Sequence, residues 1–71
     1  MNHSFLRVVY DNLFGQKWQE ALNPKKPAIH QLDETQLRRA ISLGNEVIAD
    51  RTACEMMNER SLLWRGKARK T

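Results

Sequence analysis

The residue types that bind metals or act as nucleophiles are few in this chain and lie far apart. His3, His30 and Cys54 are its only imidazole and thiol side chains, and no two of them have the spacing of a chelating motif. The three glycines are also too widely separated to form a phosphate-binding loop. A chain of 71 residues rarely encloses a catalytic cleft by itself. We therefore expect no metal, no cofactor and no catalytic residue, in a protein that is not an enzyme.

The aromatic residues are more informative, because three of them follow one helical stripe. Tyr10, Phe14 and Trp18 recur at i, i+4 spacing in the first periodic segment. Large rings at this spacing either form a core or anchor a protein interface. Arg7 and Lys17 flank the stripe and suit an acidic rim on a partner. We predict that these five residues bind a partner, with burial of the three rings in the core as the alternative.

The chain is basic as a whole, but its charge is uneven. It carries 12 Lys and Arg against 8 Asp and Glu, a net charge of +4. Residues 1–59 sum to −1, whereas the last twelve residues hold five basic side chains and no acid. We expect this end to be a flexible basic tail that contacts nucleic acid or an acidic surface, or that is simply solvated. The candidates for this contact are Trp64, Arg65, Lys67, Arg69 and Lys70, with Arg38 and Arg39 on the body.

Apolar periodicity and capping signals predict the elements that carry these residues. The first helix covers about residues 3–22, where Gly15 is expected to bend or interrupt it and Asn23-Pro24 to end it. The connector through residue 32 reads as a loop, although residues 7–10 and 28–32 could instead form short strands. A capping box of Asp33 and Gln36 starts the next helix.

The second helix carries a narrow apolar stripe, which changes phase after Ile48. The stripe consists of Leu37, Ala40, Ile41, Gly44, Val47 and Ile48. The phase change predicts a break near residues 50–52, with Thr52 and Glu55 as a second capping box and a third helix to about Trp64. One long bent helix is the alternative. The expected architecture is an all-α, three-helix domain over residues 1–64, followed by the basic tail at 65–71.

A helix-turn-helix unit is the obvious hypothesis for a small, basic, helical protein. Ala40 and Gly44 have the spacing of that unit, but Asp50 stands where it requires an apolar residue. Its recognition helix would also carry a net charge of −2 toward a polyanion. The sequence therefore argues against this arrangement.

The remaining observations concern location and function class. No apolar run approaches the roughly 20 residues of a membrane span or the 7–15 of a signal peptide, and a single cysteine suits a reducing compartment. We expect a cytoplasmic protein with no membrane contact. The leading hypothesis is a small regulator, of the kind phages use to modulate host enzymes, that binds a larger protein or nucleoprotein complex in transcription or replication. Direct binding of DNA or RNA is the alternative, through the tail and Trp64 with help from Lys25, Lys26, Arg38 and Arg39. A homodimer could also cover apolar surface that so small a core leaves open.

Overall fold

The computed structural model describes residues 3–66 and contains four α-helices and no strand in that range. The helices are α1 (His3–Phe14), α2 (Trp18–Ala21), α3 (Glu34–Ala49) and α4 (Arg51–Trp64), with a 3-10 helix at Ala28–Gln31. The prediction of a small all-α domain built on three longer helices is confirmed. Residues 7–10 lie in α1 and residues 28–31 are helical, so both strand alternatives are wrong.

Gly15 ends α1 three residues before Trp18, the next position of the aromatic stripe. Its φ of 68° lies in the left-handed region, which glycine adopts without a steric penalty. The amides of Gly15 and Gln16 both donate to the Asp11 carbonyl, at 2.8 and 3.2 Å, and so close the last turn. The predicted interruption is confirmed, and Trp18 consequently belongs to α2 rather than to the helix that carries Tyr10.

The starts of α3 and α4 are both set by aspartate side chains. Asp33 accepts a hydrogen bond from the Gln36 amide at 2.7 Å, and the Gln36 side chain accepts one from the Asp33 amide, which confirms the predicted capping box. The break between α3 and α4 is also confirmed, at Asp50. Its carboxylate accepts from the Thr52 and Ala53 amides, whereas Thr52 was the predicted cap. The cap assignment was wrong because only one extended residue separates the helices, so Thr52 already lies inside α4.

The three longer helices pack against one another around a small core, and α1 contacts both α3 and α4. The core consists of Val8, Val9, Ala40, Leu43 and Met57, bordered by the half-buried Phe5, Tyr10, Leu13, Leu32 and Val47. Gly44 lies directly beneath α1, since a Cβ atom built there would be 3.4 Å from the Phe5 ring. Because so small a core buries few apolar side chains, several large apolar side chains remain exposed.

The inner face of α3 differs from the predicted apolar stripe. Leu43 is buried although it lay outside that stripe, whereas Leu37, Ile41 and Ile48 are exposed. Relative to the predicted stripe, the buried face of α3 is shifted toward Leu43. The reason is that α3 packs against both α1 and α4, and Leu43 lies in the core with residues of both helices. Half of the predicted stripe therefore faces outward.

Within residues 3–66, no helix is both long enough and apolar enough to cross a membrane.

Candidate protein-binding groove

A buried carboxylate joins α1, α2 and the end of α4. The Asp11 side chain has no exposed surface and accepts hydrogen bonds from Ser61 Oγ at 2.6 Å and Arg65 Nε at 2.7 Å. It also accepts from Arg65 Nη2 at 3.0 Å and from the Trp18 amide at 2.9 Å. Arg65 donates further to Gln19 at 3.0 Å. These bonds fix the start of α2, and with it the Trp18 ring, against the body.

The interactions around the Asp11 carboxylate favour its ionised form. Burial alone raises the pKa of Asp11, but the hydrogen bonds from Arg65, Ser61 and the Trp18 amide, together with the Arg65 charge, outweigh it. The pKa of Asp11 therefore lies below its ordinary value. The charge of Arg65 is matched inside the protein and is not available to a ligand.

Next to this cluster, α1, α2 and the connector enclose an open cavity of about 720 Å³, here called the basic groove. Tyr10 and Trp18 form its aromatic wall, with ring centroids 6.1 Å apart in an edge-to-face arrangement. The lining includes four cationic side chains, and among the described residues that line it there is no acid. The four are Arg7, Lys25, Lys26 and Arg65.

The connector that carries the two lysines is held by one side chain. Gln31 accepts a hydrogen bond from the Asn23 amide at 2.8 Å and donates to the Asn23 carbonyl, also at 2.8 Å. Its amide group makes longer contacts with the carbonyls of Lys26 and Pro27, at 3.2 and 3.4 Å. Two prolines, which fix φ, stiffen the same segment. Lys25 and Lys26 are thus presented from an ordered turn and not from a loose loop.

The cations of the groove differ in whether they already bind another side chain of the protein. Arg65 is paired with Asp11, and Arg7 donates to the neutral side-chain oxygen of Asn58 on α4. Lys25 and Lys26 are exposed, and neither forms an ion pair with a described residue. The two lysines and Arg7 therefore give the groove its net positive potential.

The structure brings together three of the five residues predicted to bind a partner. Arg7, Tyr10 and Trp18 line the basic groove, whereas Phe14 and Lys17 are half-buried and do not. The i, i+4 stripe breaks because α1 ends at Phe14. Tyr10 also packs against the core, as the alternative interpretation of the aromatic residues predicted.

The residues predicted to contact nucleic acid are not gathered in one place. Arg65 is half-buried and paired with Asp11, which corrects its assignment to a free tail. Trp64 is partly exposed, Arg38 pairs with Glu34 at 2.6 Å, and Arg39 is exposed on α3. The other three predicted positions, Lys67, Arg69 and Lys70, lie outside the described residues.

The sequence offers Lys25 and Lys26 as auxiliary contacts to nucleic acid but does not place them beside the aromatic residues. The available signal was their position between two prolines, which fixes the backbone around them. Sequence reasoning also missed the outward face of α3, because a helical wheel shows which residues share a face but not which face meets another helix.

Within residues 3–66, no group of three or more His, Cys, Asp or Glu side chains could hold a metal ion. Cys54 is a free, half-buried thiol on α4. Comparison with protein-family models, with curated proteins and with solved structures finds no significant match.

Proposed function

We propose that this protein is a small non-enzymatic regulator that binds an acidic segment of a larger protein in its basic groove. The observation that carries the proposal is the lining of that groove, in which two aromatic rings lie beside three cations, Arg7, Lys25 and Lys26, that form no ion pair with a described residue. Aromatic side chains supply contact area at low entropic cost, and cations at the edge select and orient an acidic partner. A component of the transcription or replication machinery would suit such a regulator.

The distribution of charge favours a protein over a nucleic acid as the partner. Nucleic-acid-binding domains spread many Lys and Arg side chains over the face that follows the phosphates. Among the described residues that line the basic groove, only Lys25, Lys26 and Arg7 remain to act on a ligand, because Asp11 neutralises Arg65. Three charges beside two rings match a short acidic peptide segment better than a phosphate backbone.

Charge reversal at the two lysines tests this proposal. Full-length tagged protein would be used to capture partners from its native cell, with and without nuclease treatment. We expect one protein to be captured in both conditions and to be lost with the double variant Lys25→Glu, Lys26→Glu, because the like charges then repel the acidic segment. The matched control is Arg39→Glu, Arg60→Glu, which makes the same change in net charge away from the groove.

Binding of the captured partner can then be measured in a Trp64→Phe background. Trp18 becomes the single tryptophan, so its emission reports occupation of the groove directly. We expect a spectral change on binding and an affinity that falls as salt increases. Equal loss in the two charge variants, or capture that disappears with nuclease, would contradict the proposal and favour nucleic acid.

A further inference from the structure

Two hydrogen-bond donors in the lining of the basic groove have no acceptor among the described residues. Arg65 uses its Nε and Nη2 atoms for Asp11 and Gln19, which leaves the two N–H groups of Nη1. Because arginine can only donate, Gln19 accepts through its side-chain oxygen, and no described residue accepts from the Gln19 amide nitrogen. Arg65 and Gln19 both line the basic groove.

Both of these donors are accessible to solvent. In the part of the chain that the structure describes, every enclosed nitrogen or oxygen atom of a buried or half-buried side chain has a hydrogen-bond partner. The Arg65 and Gln19 side chains are half-buried, and the Arg65 Nη1 and Gln19 Nε2 atoms lack such a partner, so neither atom is enclosed. An accessible free donor can bind an acceptor on a ligand without first breaking a hydrogen bond within the protein.

The positions of the two donors are fixed before any ligand binds. Asp11 holds Arg65 through two hydrogen bonds, of 2.7 and 3.0 Å, and also accepts from the Trp18 amide at 2.9 Å. Gln19 follows Trp18 in α2 and is held by Arg65 at 3.0 Å. Donors that are already ordered lose little conformational entropy when a ligand binds, so even a neutral acceptor gains from them.

The charge around the two donors determines which acceptor suits them. Asp11 balances the charge of Arg65, and the Gln19 side chain is neutral. A ligand carboxylate at Arg65 Nη1 would share one guanidinium with Asp11 and leave a net negative charge, which like-charge repulsion disfavours. A carbonyl oxygen would leave the site neutral, and every residue of a bound peptide segment provides one.

We propose that Arg65 Nη1 and Gln19 Nε2 bind main-chain carbonyl oxygens of the acidic segment, while the other three cations of the basic groove bind its carboxylates. The inference rests on the proposed function and divides the groove into two parts, one that recognises a peptide main chain and one that recognises charge. A polymer that carries carboxylates but no peptide groups would then bind through the second part alone.

Two acidic polymers distinguish the two parts of the groove. Poly-L-glutamate with blocked ends has carboxylates and main-chain carbonyls, whereas polyacrylate with the same number of carboxylates has no main-chain carbonyl. Binding of each polymer to the full-length protein is followed by Trp18 emission in the Trp64→Phe background. We expect Gln19→Leu to weaken the binding of poly-L-glutamate by about three- to tenfold, the effect of one lost hydrogen bond, and to leave the binding of polyacrylate unchanged.

The matched control is Gln16→Leu, the same change at an exposed glutamine outside the groove lining, which should affect neither polymer. The double variant Lys25→Gln, Lys26→Gln should instead weaken both polymers and reduce the dependence of their binding on salt. If Gln19→Leu weakens both polymers equally, as a distorted groove would, or leaves poly-L-glutamate unaffected, the inference is overturned and the proposed function is not. If neither polymer binds the parent protein, the proposed function fails as well.

Discussion

Asp11 connects α1 with α2 and with the end of α4 through its side chain. Its carboxylate lies in α1 and accepts hydrogen bonds from the Trp18 amide of α2, from Ser61 of α4 and from Arg65 just beyond it. A buried charge with a full set of partners is stable, whereas removal of one member leaves the others unsatisfied. The position of Trp18 in the basic groove is therefore tied to the integrity of this cluster.

Asp11→Asn should destabilise the protein by about 3 kcal/mol at neutral pH, because Arg65 loses its counter-charge in a nearly closed site. A domain of this size has only about 4–10 kcal/mol of stability in all. Urea unfolding of the variant gives the difference. Glu46→Gln, which removes an exposed acid from α3, is the control and should change stability by less than about 0.5 kcal/mol. Equal effects would mean that the buried cluster contributes little.

The same substitution should change the dependence of stability on pH. An aspartate has a pKa of about 3.9 in an unfolded chain, and that of Asp11 is lowered in the folded protein. Its contribution is therefore present above about pH 4 and is lost as the pH falls through the lower folded-state value. We expect the difference between wild type and Asp11→Asn to shrink between pH 5 and the acid limit of about pH 2 in urea unfolding.

At the scale of elements, two short interruptions determine where the helices lie. Gly15 turns the chain out of α1, and Asp50 provides the single extended residue between α3 and α4. Both interruptions could be predicted, since glycine in a helical pattern and an apolar stripe that changes phase are local signals. The direction in which each helix then packs depends on contacts between distant residues.

The cap of α4 provides an element-scale prediction. Asp50→Ala should cost about 1 kcal/mol, because the Thr52 and Ala53 amides lose their acceptor. Thr52→Ala should be close to neutral, since the Thr52 side chain is exposed and does not cap the helix. Thermal unfolding of the two variants distinguishes them, and a larger effect at Thr52 would restore the capping box expected from sequence.

The faces of the helices show what sequence could not provide. The wheel of α3 placed Ile41 and Ile48 with Ala40 on one apolar side, yet only Ala40 reaches the core. Asp11 is the opposite case, a charged residue that the sequence gives no reason to bury. Its partner Arg65 is 54 residues away, so no local pattern connects the two.

The sequence likewise predicted only part of the candidate site. Arg7, Tyr10 and Trp18 were identified from type and spacing, because cations beside aromatic residues are a local property. Lys25 and Lys26 join them only through the hydrogen bonds that Gln31 makes to the connector, which depend on how the chain folds back.

For the whole molecule, α1 is the shared wall of two surfaces of different chemistry. The basic groove lies on one side of α1, and on the other side lies a cavity of about 230 Å³ between α1 and α3, whose described lining residues carry no charge. Leu6 and Tyr10 line both.

Two truncations test how the end of the chain contributes to the whole. Removal of residues 67–71 retains the Asp11–Arg65 pair, whereas removal of residues 64–71 deletes it. The larger truncation should therefore melt at least about 10 °C below the smaller one, since 1 kcal/mol corresponds to about 4–8 °C in a domain of this size. Circular dichroism melts of the two variants measure this difference. Equal melting temperatures would contradict a structural role for Arg65.

The 54-residue separation between Asp11 and Arg65 also sets an order of events during synthesis. At about 5–20 residues per second, Arg65 is made about 3–10 s after Asp11. In that interval α3 can form, but α1 holds a carboxylate that nothing yet neutralises, so its docking must wait for the end of α4. The basic groove uses α1 as a wall. We therefore expect a nascent chain to lack a complete basic groove until translation has passed Arg65.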